Sequence, residues 1–230
     1  LENIRFRPEE EKNDPAFARE LASMAEIYVN DAFGTAHRAH ASTAGIAAFL
    51  PAVCGFLIEK EITVMGKAME APEHPFVAIL GGAKVDEKLG LIERLLMEHC
   101  DTVLILGGMS YTFQKAAGGS IGDSLCNDAM LETVSGLEEK ARQVGSRLLL
   151  PEDNIVADRF ANDANTMCVP SGQIPDGWMG MDIGPRTIEK YTAIIEQART
   201  VVWNGPAGVF EMPKFAVGTR AIATAVANSK

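Results

Sequence analysis

Phe76–Lys88, FVAILGGAKVDEK, is the stretch on which the fold of this chain turns. Phe76, Val77, Ile79 and Leu80 form the apolar run of a strand covered on both faces, and the run stops at two glycines, Gly81 and Gly82. Leu89, Ile92, Leu96 and His99 then follow helical spacing. The segment reads as a buried strand, a tight turn and a helix start. In an open α/β sheet the ligand crevice lies outside the carboxyl ends of the strands. Glycine there lets the backbone approach an anion closely, and the start of the following helix offers free N–H groups and a positive dipole end. Lys84 and Lys88 add two positive charges to that crevice, an arrangement suited to phosphate. Every doubly wound fold contains such a unit, however, and lysines near a helix start are usually solvated, so the segment alone leaves both readings open. The chain has neither a GxxxxGK[ST] loop nor a GxGxxG after a strand.

The same pattern recurs after Pro75. Val103–Leu106 is a second apolar run ending in Gly107 and Gly108, followed by a helix through Met109, Thr112, Phe113 and Ala116. Asn127–Val144 reads as one longer helix, Arg147–Leu150 as a strand ending at Pro151, and Thr166–Val169 as a short strand. Gly172–Pro185, GQIPDGWMGMDIGP, reads as a loop before a helix over Arg186–Gln197. Thr200–Trp203 is the last strand and leads into NGPAGVFE. Three apolar strands thus end in glycine-bearing loops, which predicts a parallel sheet with its ligand along the carboxyl edge. Gly81, Gly107 and Asn204 are expected at that one edge. No internal repeat or low-complexity tract is visible.

Toward the N-terminus, LENIRF reads as the end of a strand and Arg7–Asp14 as an acidic loop. A helix follows with Asp14 as cap and Pro15 in its first turn, its stripe made by Phe17, Leu21, Met24 and Ala25. Ile27–Val29 is a short strand before NDAFGTAHRAHAS, in which His37, Arg38 and His40 fall within four positions. One histidine would read as structural. Two around an arginine, after a strand and a glycine, suit an anion site, and Arg5 and Arg7 are placed to converge on it. A guanidinium grips phosphate or carboxylate in bidentate fashion, so an organic phosphate acid fits. From Pro51 to about Glu70 a long helix is expected, with Cys54, Ile58, Ile62, Met65 and Met69 on its apolar stripe; its methionines read as core. APEHP, residues 71–75, marks a boundary, and the long helix reads as a connector between two lobes.

Composition narrows the classes. With 230 residues and 47% hydrophobic content the chain has enough apolar material for a sizeable core. Its net charge of −10 argues against non-specific nucleic-acid binding. No apolar run is long enough for a membrane span and nothing resembles a signal peptide, so a cytoplasmic protein with no membrane partner is expected. Cys54, Cys100, Cys126 and Cys168 are far apart with no CxxC pair, so buried free thiols are expected rather than disulfides or a zinc site.

Taken together, LENIRF, NDAFGTAHRAHAS, GGAKVDEK, GWMGMDIGP and VVWNGPAGVFE resemble the phosphoglycerate kinase family, in the family's order and across nearly the whole chain. The second and the last are highly specific. The resemblance implies a two-lobed hinge enzyme that moves a phosphoryl group between ATP and the carboxylate of 3-phosphoglycerate, with Mg2+ carried by the nucleotide. It implies an α/β chain: residues 1–50 as the C-terminal part of the 3-phosphoglycerate-binding lobe, 51–70 as the interdomain helix, and 71–230 as a Rossmann-like nucleotide lobe, a parallel sheet flanked by helices and incomplete at its C-terminus. A monomer acting on 3-phosphoglycerate or 1,3-bisphosphoglycerate and ATP or ADP is expected, with a place in glycolysis.

By position, Arg5 and Arg38 match family arginines that hold 3-phosphoglycerate, with His37 beside them. Lys84 matches the lysine that follows the transferring phosphoryl group and is the expected catalytic residue. Lys88 matches one that binds nucleotide phosphates, and Gly107 and Gly108 fall among the nucleotide-binding positions. Gly180 matches a backbone contact near the adenine, and Glu211 the carboxylate that takes the ribose hydroxyls. Asn204 and Pro206 shape the loop around the nucleotide. No residue of this chain is expected to hold metal on its own.

Departures from the family pattern belong to the same reading. The family's first lobe starts before LENIRF, with a strand bearing substrate-binding Asp and Asn, a catalytic arginine and an HxGR segment. Past Lys230 the family continues into a GGGD loop. Both ends therefore read as cut, and the 230 residues by themselves are expected to be inactive; a truncated, catalytically inactive nucleotide-binding fragment of the family is the alternative. A nicotinamide dehydrogenase is disfavoured by the missing fingerprint and by lysines where a ribose-binding acid would be useful. Leu106 stands where the family commonly has a third glycine, which bears on how the adenine is approached.

Overall fold

The computed structural model describes residues 2–98 and 100–229. Leu1, the first residue of LENIRF, His99, the fourth of the helical series, and Lys230 lie outside the described residues. The chain divides into two compact units, Leu1–Ala71 and Pro72–Lys230.

The first unit opens with a 3-10 turn, Ile4–Phe6, where a strand end was expected. The acidic stretch after it is partly helical: α1 spans Pro8–Glu11, with Pro8 supplying the fixed φ of a first turn. Helix α2, Pro15–Ala22, starts where the sequence predicts, and the Asp14 carboxylate accepts the N–H groups of Ala16 and Phe17, both at 2.9 Å. Its inner face, Phe17, Ala18 and Leu21, packs with Ala41. Strand β1, Tyr28–Asn30, pairs in parallel with β2, Ala52–Cys54, so the helix expected from Pro51 begins only after that strand, as α3, Phe56–Glu70. The turn between them is fixed by Asp31, whose carboxylate accepts the N–H groups of Leu57 and Ile58. Of the predicted α3 stripe, Ile58 is buried, whereas Ile62 and Met65 are exposed within this unit, and Cys54 lies on β2.

In the second unit β3, Phe76–Leu80, is buried at every position. Helix α4, Leu89–Met97, β4, Thr102–Ile105, α5, Met109–Ala116, and a short β5, Ser120–Ile121, follow. The single helix expected over Asn127–Val144 is broken into a 3-10 turn, Asp128–Met130, then α6, Leu131–Ser135, and α7, Leu137–Gln143, with Gly136 at the break. Next come β6, Arg147–Leu149, β7, Asp153–Ala157, β8, Thr166–Pro170, β9, Gln173–Ile174, and β10, Met179–Ile183. Residues 172–185, expected as a loop, thus contain two strands. Their glycines and prolines sit at strand ends and at a register shift in β10 between Gly180 and Asp182, so composition concealed the pairing. Helix α8, Pro185–Ile195, β11, Thr200–Asn204, and α9, Val217–Ala227, complete the unit.

The principal sheet has the order β11-β3-β4-β6, all parallel, and β7 is flanked by β10 and β8 in an antiparallel sheet. The parallel sheet is flanked by helices, as the strand and glycine repeats require. Val77, Ile79 and Leu104 of the sheet bury against Tyr191 and Ile195 of α8 and Ile222 of α9. Leu106 is fully buried in this same cluster, so its side chain is core. The four cysteines are free, but only Cys100 is buried; Cys54, Cys126 and Cys168 are exposed, because the strands and loops that carry them have an open face.

Candidate functional site

The carboxyl ends of β11, β3 and β4 carry the loops that matter. Gly81 N–H donates to the Asn204 carbonyl at 2.9 Å, Gly82 N–H to Pro206 O at 3.0 Å, and Gly107 N–H to Ala207 O at 3.1 Å. A Cβ on Gly81 would stand 2.1 Å from Pro206 O, and one on Gly107, whose φ is +63°, would stand 2.5 Å from Gly82 N. These glycines let three backbone loops touch one another. The N–H groups of Gly81 and Gly82 are themselves engaged within the protein. The helix after them begins later than its lysines: residues 85–88 are bend and turn, and α4 starts at Leu89.

Against these loops lies a cavity of about 510 Å³. Gly82, Gly107, Gly108, Gly180, Pro206 and Glu211 are in its wall. Sequence reading did not reach Tyr111, Asp123, Leu125, Phe160, Met179 and Val209, which complete the wall with other residues of the same loops. Leu125 and Phe160 are large apolar side chains exposed by 62% and 63%, so the rim is apolar as well as open. Their signal in the sequence is slight: single apolar residues in otherwise polar turns. Gly180 is required by contact, since a Cβ there would fall 2.0 Å from the Tyr111 ring, and its N–H donates to Ser124 Oγ at 2.9 Å. Burial raises the Tyr111 pKa, with the nearby Asp182 carboxylate adding to it.

The lysines stand at the same sheet edge. Lys88 Nζ donates to the backbone oxygen of Asn204 at 3.0 Å and to its side-chain amide oxygen. It lies 3.9 Å from where a Cβ on Gly82 would stand, so the ammonium borders the cavity wall. Burial lowers the Lys88 pKa, opposed by the charge of Glu87. Lys84 Nζ donates to Glu87 Oε1 at 2.6 Å, with both side chains well exposed.

In the first unit Arg5, His37 and Arg38 are exposed. Arg7 turns to Glu9 at 3.3 Å and lies over the Phe17 ring. His40 stands 3.7 Å from Glu10, a buried carboxylate that also accepts Ser42 N–H and Oγ–H, so this second histidine belongs to the packing of the unit. Among the described residues no group of three or more His, Cys, Asp and Glu side chains could hold a metal ion. Among them, too, no helix is long and apolar enough to cross a membrane.

Parallel strands whose glycine-bearing carboxyl ends wall a cavity define an α/β protein with its ligand crevice at the carboxyl edge of the sheet. The family model for phosphoglycerate kinase matches residues 1–230, and the chain belongs to that family. It is 56% identical over 227 residues to the phosphoglycerate kinase of Moorella thermoacetica, covering 99% of this chain and 58% of that protein. It is 58% identical over 230 residues to that of Chlorobium phaeobacteroides, covering 100% of this chain and 58% of the other. Among solved structures it resembles phosphoglycerate kinase from Coxiella burnetii, with a TM-score of 0.82 and 43% identity, over 99% of this chain and 59% of that one. The chain therefore spans about 58% of the length of these two relatives.

Proposed function

We propose that the protein transfers a phosphoryl group reversibly between ATP and the carboxylate of 3-phosphoglycerate, giving 1,3-bisphosphoglycerate and ADP, as a glycolytic enzyme of the cytoplasm. The observation that carries this reading is the cavity at the carboxyl edge, walled by Gly107, Gly108, Gly180, Pro206 and Glu211, with Lys88 held by Asn204 beside Gly82 of the same wall. Its volume and apolar wall suit a purine nucleoside. In this reading Glu211 accepts from the ribose hydroxyls, and the Lys88 ammonium, held by Asn204, meets the phosphates. Arg5, His37 and Arg38 hold the acid substrate, α3 connects its lobe to the nucleotide lobe, and the protein acts as a monomer.

Transfer of this kind needs alignment and neutralisation of charge on the moving group more than covalent help. Lys84, whose exposed ammonium rests against Glu87, is the side chain proposed to follow that group. The acceptor carboxylate is already ionised, so no general base is required. Magnesium belongs to the substrate, bound through the hard phosphate oxygens it prefers. The cavity lining includes two carboxylates, Asp123 and Glu211.

Calorimetry with ADP tests the nucleotide half of the reading: saturable binding that ATP displaces is expected, and absence of heat would overturn it. Turnover of the natural gene product with ATP and 3-phosphoglycerate tests the rest. ATP consumption that does not depend on 3-phosphoglycerate would reject the assigned acceptor.

A further inference from the structure

Asp182 is a carboxylate buried behind the cavity, exposed by only 2%, and none of the roles above uses it. It lies on β10 beside Met181, a wall residue, just after the register shift. Oδ1 accepts the Ile183 N–H at 2.9 Å, and Oδ2 accepts the Gly218 N–H at 2.7 Å, in the first turn of α9. A Cβ on Gly208, another wall residue, or on Gly218 would fall 2.3 Å from Oδ1. The carboxylate is thus pressed between a strand, a wall loop and the positive end of an eleven-residue helix. The loop is tied to both neighbours, through Val209 N–H to Met181 O at 2.8 Å and Ala207 N–H to Thr219 Oγ1 at 3.1 Å.

We propose that Asp182 is a positioning residue of the nucleotide cavity: ionised, it clamps the first turn of α9 and the wall loop in the receptive arrangement, and protonated it loosens that clamp. This rests on the nucleotide reading of the cavity. A carboxylate binds backbone N–H groups more strongly than a carboxylic acid does, so the proton changes the grip while leaving the fold intact. Burial pushes the Asp182 pKa up to about 6, partly offset by the Gly218 and Ile183 N–H groups. Of the groups packed around it, Tyr111 of α5 is titratable and faces it; β7 meets it through Ile155, and Arg220 of α9 is exposed. Nucleotide affinity is therefore set to fall as pH drops through the Asp182 pKa.

Calorimetric ADP affinities of wild type and Asp182→Asn across the Asp182 titration test this. The phosphates titrate identically in both experiments, so the ratio of the two affinities isolates Asp182. That ratio is expected to be about tenfold on the alkaline side and to close to within about twofold on the acid side. A ratio that is constant with pH would overturn the proposal while leaving the nucleotide reading in place; failure of wild type to bind ADP would overturn both. Should the variant not fold, carbon-13 titration of Asp182 in wild type, with and without ADP, decides by reciprocity. A tenfold preference of nucleotide for the ionised state lowers its pKa by about one pH unit, and an unchanged or raised value overturns the clamp.

Discussion

Lys88 and Asn204, separated by 116 positions in sequence, are joined twice, through the backbone oxygen and through the side-chain oxygen of the asparagine. The amine is thereby aimed before any ligand arrives. Asn204→Ala removes one of the two acceptors and leaves the lysine. ADP affinity is expected to fall about tenfold in that variant, the usual weight of a hydrogen bond to a charged group, and further in Lys88→Ala. Calorimetry reads both; an Asn204→Ala affinity equal to wild type would show that Lys88 needs no tether.

Lys84 sits in an exposed ion pair, which contributes little to stability. In the natural gene product, Lys84→Ala is expected to lower kcat by about 10²–10³ with ADP affinity nearly kept, as loss of a transition-state contact does. Steady-state kinetics beside calorimetry separates the two effects, and undiminished kcat would remove Lys84 from the chemistry.

Two glycines should respond in opposite directions. Gly81→Ala drives a methyl group into the Pro206 carbonyl and should cost about 1–3 kcal/mol of stability and widen the cavity wall. At Gly136 a Cβ meets nothing within 4 Å and φ is −85°, so Gly136→Ala should gain about 0.4–1 kcal/mol. Denaturant unfolding of both variants measures the contrast.

Leu106 is core, so Leu106→Ala should cost about 2–5 kcal/mol while the folded protein keeps its ADP affinity. A large loss of affinity in the folded variant would mean that this position shapes the base site after all.

Acid should loosen the start of α8. Asp153 accepts from Thr187 N–H at 2.8 Å, Thr187 Oγ–H at 2.6 Å and Arg186 N–H at 3.0 Å. Burial pushes its pKa up, but those hydrogen bonds outweigh burial and hold it below the ordinary value of 3.8. A depressed folded pKa gives stability that is fully present above the unfolded value and disappears as pH falls through the folded one. Asp153→Asn should thus cost about 1–3 kcal/mol at neutral pH and progressively less below about pH 4, read by unfolding at several pH values.

The parallel sheet was legible because its strands are buried on both faces and end in glycine, signals that lie within a few adjacent residues. What escaped lies in long-range pairings. β10 is hidden in a glycine- and proline-rich stretch because its strand character comes from β7, and β2 is hidden by the helical spacing that its residues share with α3. The sequence brought Gly107, Gly180 and Glu211 into one site through motifs, but Tyr111, Leu125 and Phe160 join the wall only through folding, and no local pattern announces them. His40 shows the reverse failure: a residue type suited to anions was recruited by a buried glutamate 30 positions earlier.

Strand β3 lies between β4, its near neighbour in sequence, and β11, which is synthesised only after most of the second unit. A ribosome making this chain releases β3 with one hydrogen-bonding edge unsatisfied, and that edge waits until residues 200–204 emerge. During that interval it is a template for any other strand. Because so much chain must close before the last pairing forms, the second unit is expected to fold late and to depend on protection of the β3 edge during its own translation.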